Sequence, residues 1–197
     1  MKNSSSSGVA SPITPRLYLT DYCTARNSKK LEDLGITHVI SITECRPDLP
    51  KVIPQTQRLH LRLSDIPEEN ILEHLDATTA FITAALEENE TNKVMVSDPF
   101  GSSLTLSFIY WQVHCVLGIS RSATVVCAYL IATTNLSARE SIAHVQSLRS
   151  IVCPNIGFRK QLGEYATRYV EDKPKPDQMS MPDVLNSGGG DEVATNS

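Results

Sequence analysis

The sequence predicts an α/β domain whose central, mostly parallel sheet is flanked by helices. Short segments rich in apolar and β-branched residues alternate along the chain with longer segments whose apolar residues recur at the helical period. In addition, an apolar run leads into a glycine-containing loop that is followed at once by a helix. In an α/β sheet this order places the active loop between a central strand and a helix.

The elements can be assigned in chain order from these patterns. Strands are predicted where β-branched or alternating apolar residues dominate, at residues 13–19, 37–42, 57–63 and 93–96. Helices are predicted where the apolar period is helical, at residues 27–34, 69–88, 123–131 and 155–170. Gly35 ends the first helix, and Ser137 and Glu140 form a capping box that begins a further helix before the last one.

The predicted domain covers residues 12–170, and both flanking segments are expected to be disordered. Residues 1–11 are rich in serine, and residues 171–197 contain Lys-Pro pairs and a run of three glycines. The remaining length and a hydrophobic content of 41% fit one domain with a single core.

Charge and cysteine usage exclude several classes of protein. A net charge of −4 and a pI near 5.7 argue against a nucleic-acid partner, which would require a basic face. The five cysteines include no Cys-x-x-Cys pair and no metal-ligand spacing, so we expect a reducing compartment, no metal and no cofactor. No apolar run is long enough for a signal peptide or a membrane span, which predicts a cytoplasmic or nuclear protein with no membrane partner. The oligomeric state is left open.

The segment 114–122 predicts a site for a phosphate group. A loop of inward-facing backbone N–H groups, followed by a helix N-terminus, attracts an anion. Arg121 can hold two phosphate oxygens with parallel hydrogen bonds, and the same field keeps Cys115 ionised as a nucleophilic thiolate. Ser122 can donate a hydrogen bond to that sulfur as it leaves. The residues expected to surround the phosphate are Val116, Leu117, Gly118, Ile119, Ser120 and Arg121.

A structural cysteine that happens to precede a helix is the alternative, but it requires His114, Cys115, Gly118, Arg121 and Ser122 to coincide by accident. The pattern His-Cys-x-x-Gly-x-x-Arg-Ser instead resembles the signature of the cysteine-dependent protein phosphatases. The continuation 119–126 resembles the small dual-specificity phosphatases in particular, and the resemblance extends over residues 13–170. It implies hydrolysis of phosphotyrosine and of phosphoserine or phosphothreonine in protein substrates, through a phosphocysteine intermediate. We expect His114 to brace the loop by hydrogen bonding.

A phosphate ester also needs a proton on its leaving oxygen, and Asp65 is the predicted donor. It lies in a loop between a predicted strand and a predicted helix, where the family that this chain resembles has its catalytic aspartate. The alternatives are that Asp65 only caps the loop, or that Glu68 or Glu69 takes the role.

The chain departs from that family in the distance between acid and nucleophile. Cys115 follows Asp65 by 50 residues, and removing residues 96–112 would leave 33 and restore the continuous run Lys-Val-Met-Val-His-Cys. The ends of the insert are compatible with codons GTAAGT and CAG, so we hypothesise a translated, unspliced intron. A lineage-specific loop is the rival interpretation, and RNA sequencing that found only the long form would refute the intron.

The insert also bears on fold and activity. Residues 108–113 have strand character and directly precede the active loop, so we expect them to displace residues 94–96 from the centre of the sheet. Two alternatives to a protein phosphatase remain open: a catalytically impaired phosphate-binding protein, and a lipid or RNA phosphatase on the same fold. The apolar Val116, Leu117 and Ile119 disfavour a highly charged substrate.

Overall fold

The computed structural model describes residues 9–98 and 119–170, which fold around one five-stranded sheet. The strands are β1 (Ser11–Thr14), β2 (Leu17–Asp21), β3 (His38–Ile42), β4 (Arg58–Leu61) and β5 (Val94–Asp98). Their order across the sheet is β1-β2-β5-β3-β4. The pair β1 and β2 is antiparallel and every other pair is parallel, which confirms the predicted α/β class.

Helices cover both faces of this sheet. They are α1 (Tyr22–Ala25), α2 (Ser28–Leu34), α3 (Leu72–Glu88), α4 (Arg121–Thr133), α5 (Ala138–Leu148) and α6 (Ile156–Val170). Val94 and Val96 of β5 belong to the large core formed with α3 to α6, whereas Met95 belongs to a smaller cluster with α2. The first three residues of β5 are therefore all apolar, as expected for a strand of a parallel sheet that is covered on both faces. None of the helices in residues 9–98 and 119–170 is long and apolar enough to cross a bilayer.

The N-terminal strand differs from the prediction. Residues 13–19 were expected to form one strand, but the chain turns at Pro15 and forms the hairpin of β1 and β2. The hydroxyl of Thr14 accepts hydrogen bonds from the N–H groups of Arg16 and Leu17, and Pro15 cannot donate to a ladder. Ser11, assigned to the N-terminal tail, pairs with Leu19 in this hairpin.

Helix boundaries follow the capping signals. Asn27 accepts a hydrogen bond from the N–H of Lys30 at the start of α2, and Gly35 ends that helix in the left-handed conformation with φ of 67°. The capping box of Ser137 and Glu140 is formed as predicted. By contrast, α3 begins at Leu72, three residues later than predicted, since residues 65–69 form bends and turns.

The centre of the sheet contradicts one expectation. Residues 94–96 were expected to be displaced, but β5 lies between β2 and β3 and pairs with both. Val96, the first residue of the predicted insert, pairs with Leu19 and Ile40 and is fully buried. The apolar run of β5 therefore continues into the predicted insert. Residues 108–113 lie outside the described residues.

Candidate active site

The site lies at the carboxyl end of the parallel strands, where three connections meet the start of α4. Asp65 lies in the loop after β4, Asp98 ends β5, Arg121 begins α4, and Asn155 directly precedes α6. Carboxyl ends of parallel strands converge on one edge of a sheet, so residues distant in sequence become neighbours there. Within the described residues, no group of three His, Cys, Asp or Glu side chains is arranged to hold a metal ion.

The structure describes part of the predicted site. Asp65, Ile119, Ser120, Arg121 and Ser122 are all described, and hydrogen bonds or ion pairs join Asp65 to Ser120 and Arg121. The remaining predicted positions lie outside the described residues, so their roles stay predictions: His114, Cys115, Val116, Leu117 and Gly118.

A closed set of hydrogen bonds holds Asp65 beside the start of α4. Its Oδ1 accepts from the Ser120 hydroxyl at 2.7 Å and from the Asn155 side-chain amide at 2.8 Å. The backbone N–H of Asn155 donates in turn to the Ser120 hydroxyl at 3.1 Å. These bonds occupy one carboxyl oxygen of Asp65 and fix the direction of the other.

Asn155 is a positioning residue that the sequence analysis did not identify. Its side-chain oxygen caps α6 by accepting from the N–H of Phe158 at 2.9 Å, while its side-chain nitrogen reaches Asp65. The position before an apolar helical period indicated a helix start. The second contact joins residues 90 positions apart and has no local signal.

Glu69 and Glu68, the two alternatives to Asp65 as proton donor, lie in different environments from Asp65. Glu69 accepts a hydrogen bond from the backbone N–H of Ser64 at 3.0 Å and thereby closes the loop that contains Asp65. Glu68 is exposed to solvent. Of the three acidic residues, Asp65 is the one that contacts the start of α4, which favours it as the proton donor.

The guanidinium of Arg121 is buried and joins three elements. Its Nη1 donates to the carbonyl of Leu63 at 2.8 Å, its Nη2 lies 2.8 Å from Oδ1 of Asp98, and its Nε lies 3.9 Å from Oδ2 of Asp65. The side chains of Arg121 and Asp98 are 5% and 1% exposed. Two carboxyl groups therefore flank one cation in a site that water barely reaches.

Asp98 was not identified from the sequence as a site residue. Burial raises the pKa of its carboxyl to about 7; Arg121 acts against this shift, Asp65 adds to it, and a hydrogen bond from the Ser122 backbone opposes it. A central strand that begins at residue 93 or 94 would end near Asp98, at the edge of the sheet where the active loop lies. Asp98 was missed because this strand was expected to be displaced from the centre of the sheet.

Three buried polar atoms at this place have no hydrogen-bond partner among the described residues. They are Oγ of Ser122, Nε of Arg121 and Oδ2 of Asp65. Buried polar groups are almost always satisfied, so exceptions that cluster at one place need a physical explanation, and contact with a ligand is one. Oγ of Ser122 and Nε of Arg121 can each donate a hydrogen bond to an anion, and Oδ2 of Asp65 can hold a proton.

Gly157 fixes the distance between α6 and the Asp65 loop. A β-carbon at this position would lie 1.8 Å from the carbonyl oxygen of Pro67, far inside van der Waals contact. Gly163, on the same helix, has no atom within 4 Å of the corresponding point. Only glycine at residue 157 lets the start of α6 approach close enough for Asn155 to reach Asp65.

We predict that Gly157→Ala lowers the free energy of unfolding by roughly 1–3 kcal/mol, because α6 and the Asp65 loop must separate. The matched control Gly163→Ala should be neutral or stabilise the protein by about 0.5–1 kcal/mol, since alanine favours a helix. Urea denaturation of both variants measures these values. Equal unfolding free energies for the two variants would contradict the close approach at Pro67.

We also predict that Asp98 makes stability fall as pH rises. An acid whose pKa is raised in the folded state contributes stability below its unfolded pKa of 3.8, and that contribution is lost as pH passes about 7. The contribution of Asp98 should decline by up to about 1.4 kcal/mol per pH unit between about pH 4 and 7 and level off above pH 7.

Urea unfolding of the wild type and of Asp98→Asn at pH 5, 6, 7 and 8 measures that contribution as the difference between the two curves. The exposed Asp48, whose side chain is 86% exposed, provides the control Asp48→Asn. A wild-type curve parallel to that of Asp98→Asn would contradict the raised pKa.

Comparison with known proteins identifies relatives over most of the described fold. A model of the dual specificity phosphatase catalytic domain matches residues 111–168. The tyrosine-protein phosphatase yvh1 of Schizosaccharomyces pombe is 33% identical over 155 residues, which are 79% of this chain and 41% of that protein. Dual specificity protein phosphatase 22-B of Danio rerio is 30% identical over 155 residues, which are 79% of this chain and 73% of that protein.

The fold has solved counterparts as well. The crystal structure of human DUSP28 superimposes with a TM-score of 0.66 at 26% identity, covering 82% of this chain and 95% of that one. The resemblance inferred from residues 114–122 is thus confirmed by relatives that match well beyond that motif.

Proposed function

Because the chain belongs to the dual specificity protein phosphatase family, we propose that it hydrolyses phosphate esters in phosphorylated proteins. The observation that supports this best is the placement of Asp65, which Ser120 and Asn155 hold beside the first residue of α4. The acid predicted from the sequence and the arginine predicted to bind phosphate are 3.9 Å apart at their nearest ion-pair atoms.

The two oxygens of Asp65 have separate tasks in this proposal. Oδ1 accepts the bonds from Ser120 and Asn155, and Oδ2 has no hydrogen-bond partner among the described residues. Oδ2 is therefore the atom that holds the transferable proton. An acid oriented through one oxygen and available through the other is suited to protonating a leaving group and later deprotonating water.

The reaction proceeds in two steps. The thiolate of Cys115 attacks phosphorus, the bond to the leaving tyrosine, serine or threonine oxygen breaks, and that oxygen takes the proton of Asp65. A water molecule that gives its proton to Asp65 then attacks the phosphocysteine, and the thiolate leaves. The Arg121 guanidinium and the loop amides stabilise the equatorial oxygens in both steps. The hydroxyl of Ser122, buried and unpartnered among the described residues, is available to the departing sulfur.

The relatives support a protein substrate over a lipid or RNA substrate. The two matched proteins are named as tyrosine-protein and dual specificity phosphatases. The apolar side chain of Ile119 beside the site also offers no additional positive charge to a polyphosphorylated headgroup. The odd number of cysteines supports a cytoplasmic or nuclear site of action.

We predict that Cys115→Ser abolishes turnover and that Asp65→Asn lowers kcat by about 10²-fold or more. The loss in Asp65→Asn should be larger on a phosphoserine peptide than on p-nitrophenyl phosphate, because an alkoxide leaves less readily than a nitrophenolate without a proton.

Steady-state kinetics on both substrates measures these effects. Asp76→Asn is the control, since Asp76 is an exposed carboxylate of α3 that pairs with Arg168. Full activity in Cys115→Ser would contradict the proposed mechanism.

A further inference from the structure

The last residue of β5 makes the shortest ion pair of the site. Asp98 places Oδ1 at 2.8 Å from Nη2 of Arg121, and both side chains are almost completely buried. The backbone N–H of Ser122 donates a further hydrogen bond to this carboxyl. A carboxylate bound by a guanidinium and by an N–H group of the first helical turn occupies the kind of position that an anionic ligand takes at a helix N-terminus.

The register of the sheet gives this contact its significance. Asp98 pairs with Asp21 at the end of β5, three residues after Met95. If residues 96–112 were absent, Met95 would be followed by Val113, His114 and Cys115. Cys115 would then take the strand position that Asp98 occupies. In the chain as it stands, a carboxylate lies at the strand end from which the nucleophile would otherwise project.

The contacts of Arg121 engage both of its terminal nitrogens. Nη1 is bonded to the carbonyl of Leu63, and Nη2 is paired with Asp98. A bidentate grip on phosphate requires two parallel N–H donors on one side of the guanidinium. The Nη2 that such a grip would use already faces an anion, and Asp65 adds a second negative group on the Nε side.

We propose that Asp98 is an internal anion that occupies Arg121 and that a substrate phosphate must displace. This inference rests on the proposed function, because it assumes that Arg121 is the phosphate-binding arginine. A carboxylate and a phosphate both present two oxygens to a guanidinium, so they compete for the same donors. Asp98, the third residue of the predicted insert, thereby competes with substrate for Arg121.

Titration calorimetry with inorganic phosphate on the full-length chain at pH 8, where most of the Asp98 carboxyl is ionised because its pKa is about 7, tests this proposal without requiring turnover. Asp98→Asn keeps the shape of the side chain and removes its charge, so it should bind phosphate at least about 10-fold more tightly than the wild type. Asp76→Asn, the matched surface control, should bind as the wild type does. Equal dissociation constants for Asp98→Asn and wild type would overturn the proposal.

A second variant covers the case in which Asp98→Asn does not fold. Deletion of residues 96–112 removes the carboxylate and restores the run Val-Met-Val-His-Cys, and it should also bind phosphate at least about 10-fold more tightly. Failure of this folded deletion variant to bind phosphate more tightly than the wild type would overturn the proposal as well.

Turnover of p-nitrophenyl phosphate, measured on the same samples, separates this proposal from the proposed function. Tighter phosphate binding in Asp98→Asn with no turnover in any variant would support the internal anion and contradict the enzyme. Turnover in the wild type with unchanged phosphate affinity and unchanged kcat/KM in Asp98→Asn would support the enzyme and contradict the internal anion.

Discussion

The buried guanidinium of Arg121 is the constraint on which the site depends. A cation that is only 5% exposed must be paired and hydrogen-bonded, since an unpaired buried charge destabilises a fold by several kcal/mol. Arg121 meets that requirement with the carbonyl of Leu63 and the carboxyl of Asp98. The end of β5, the loop after β4 and the start of α4 are therefore joined by one side chain. Separation of β5 from α4 would leave two buried charges unpaired, and displacement of the loop would remove a hydrogen bond from Arg121.

A second set of contacts sets the orientation of the acid independently of the arginine. Ser120 and Asn155 both bond to Oδ1 of Asp65, and the N–H of Asn155 bonds to Ser120, so the start of α4 and the start of α6 share one carboxylate. The absence of a side chain at Gly157 lets α6 lie against Pro67 in the same loop. The acid thus owes its position to two helix termini that lie outside the loop that contains it.

The sequence predicted most of what depends on local periodicity. The α/β class and the caps at Asn27 and Ser137 follow from patterns within a few residues, and the structure has them. Three features were not predicted: the hairpin turn at Pro15, the bond from Asn155 to Asp65 and the pair of Asp98 with Arg121. The last two join residues far apart in sequence and depend on sheet register. That register was misjudged because residues 108–113 resemble a strand as strongly as residues 93–96 do.

The central strand shows how the segment that begins at Val96 keeps the sheet intact and still bears on the site. The sheet requires that β5 be buried on both faces and bonded on both edges, and Val96 and Ser97 satisfy this: Val96 is fully buried, and the Ser97 hydroxyl donates to the carbonyl of Ile40 at 3.3 Å. Backbone pairing with β2 and β3 does not distinguish Val-Ser-Asp from Val-His-Cys. The side chain at the end of the strand does distinguish them, because Asp98 faces Arg121 rather than the core. The end of β5 therefore sets a carboxyl group beside Arg121 while the pairing and the apolar burial of the sheet are kept.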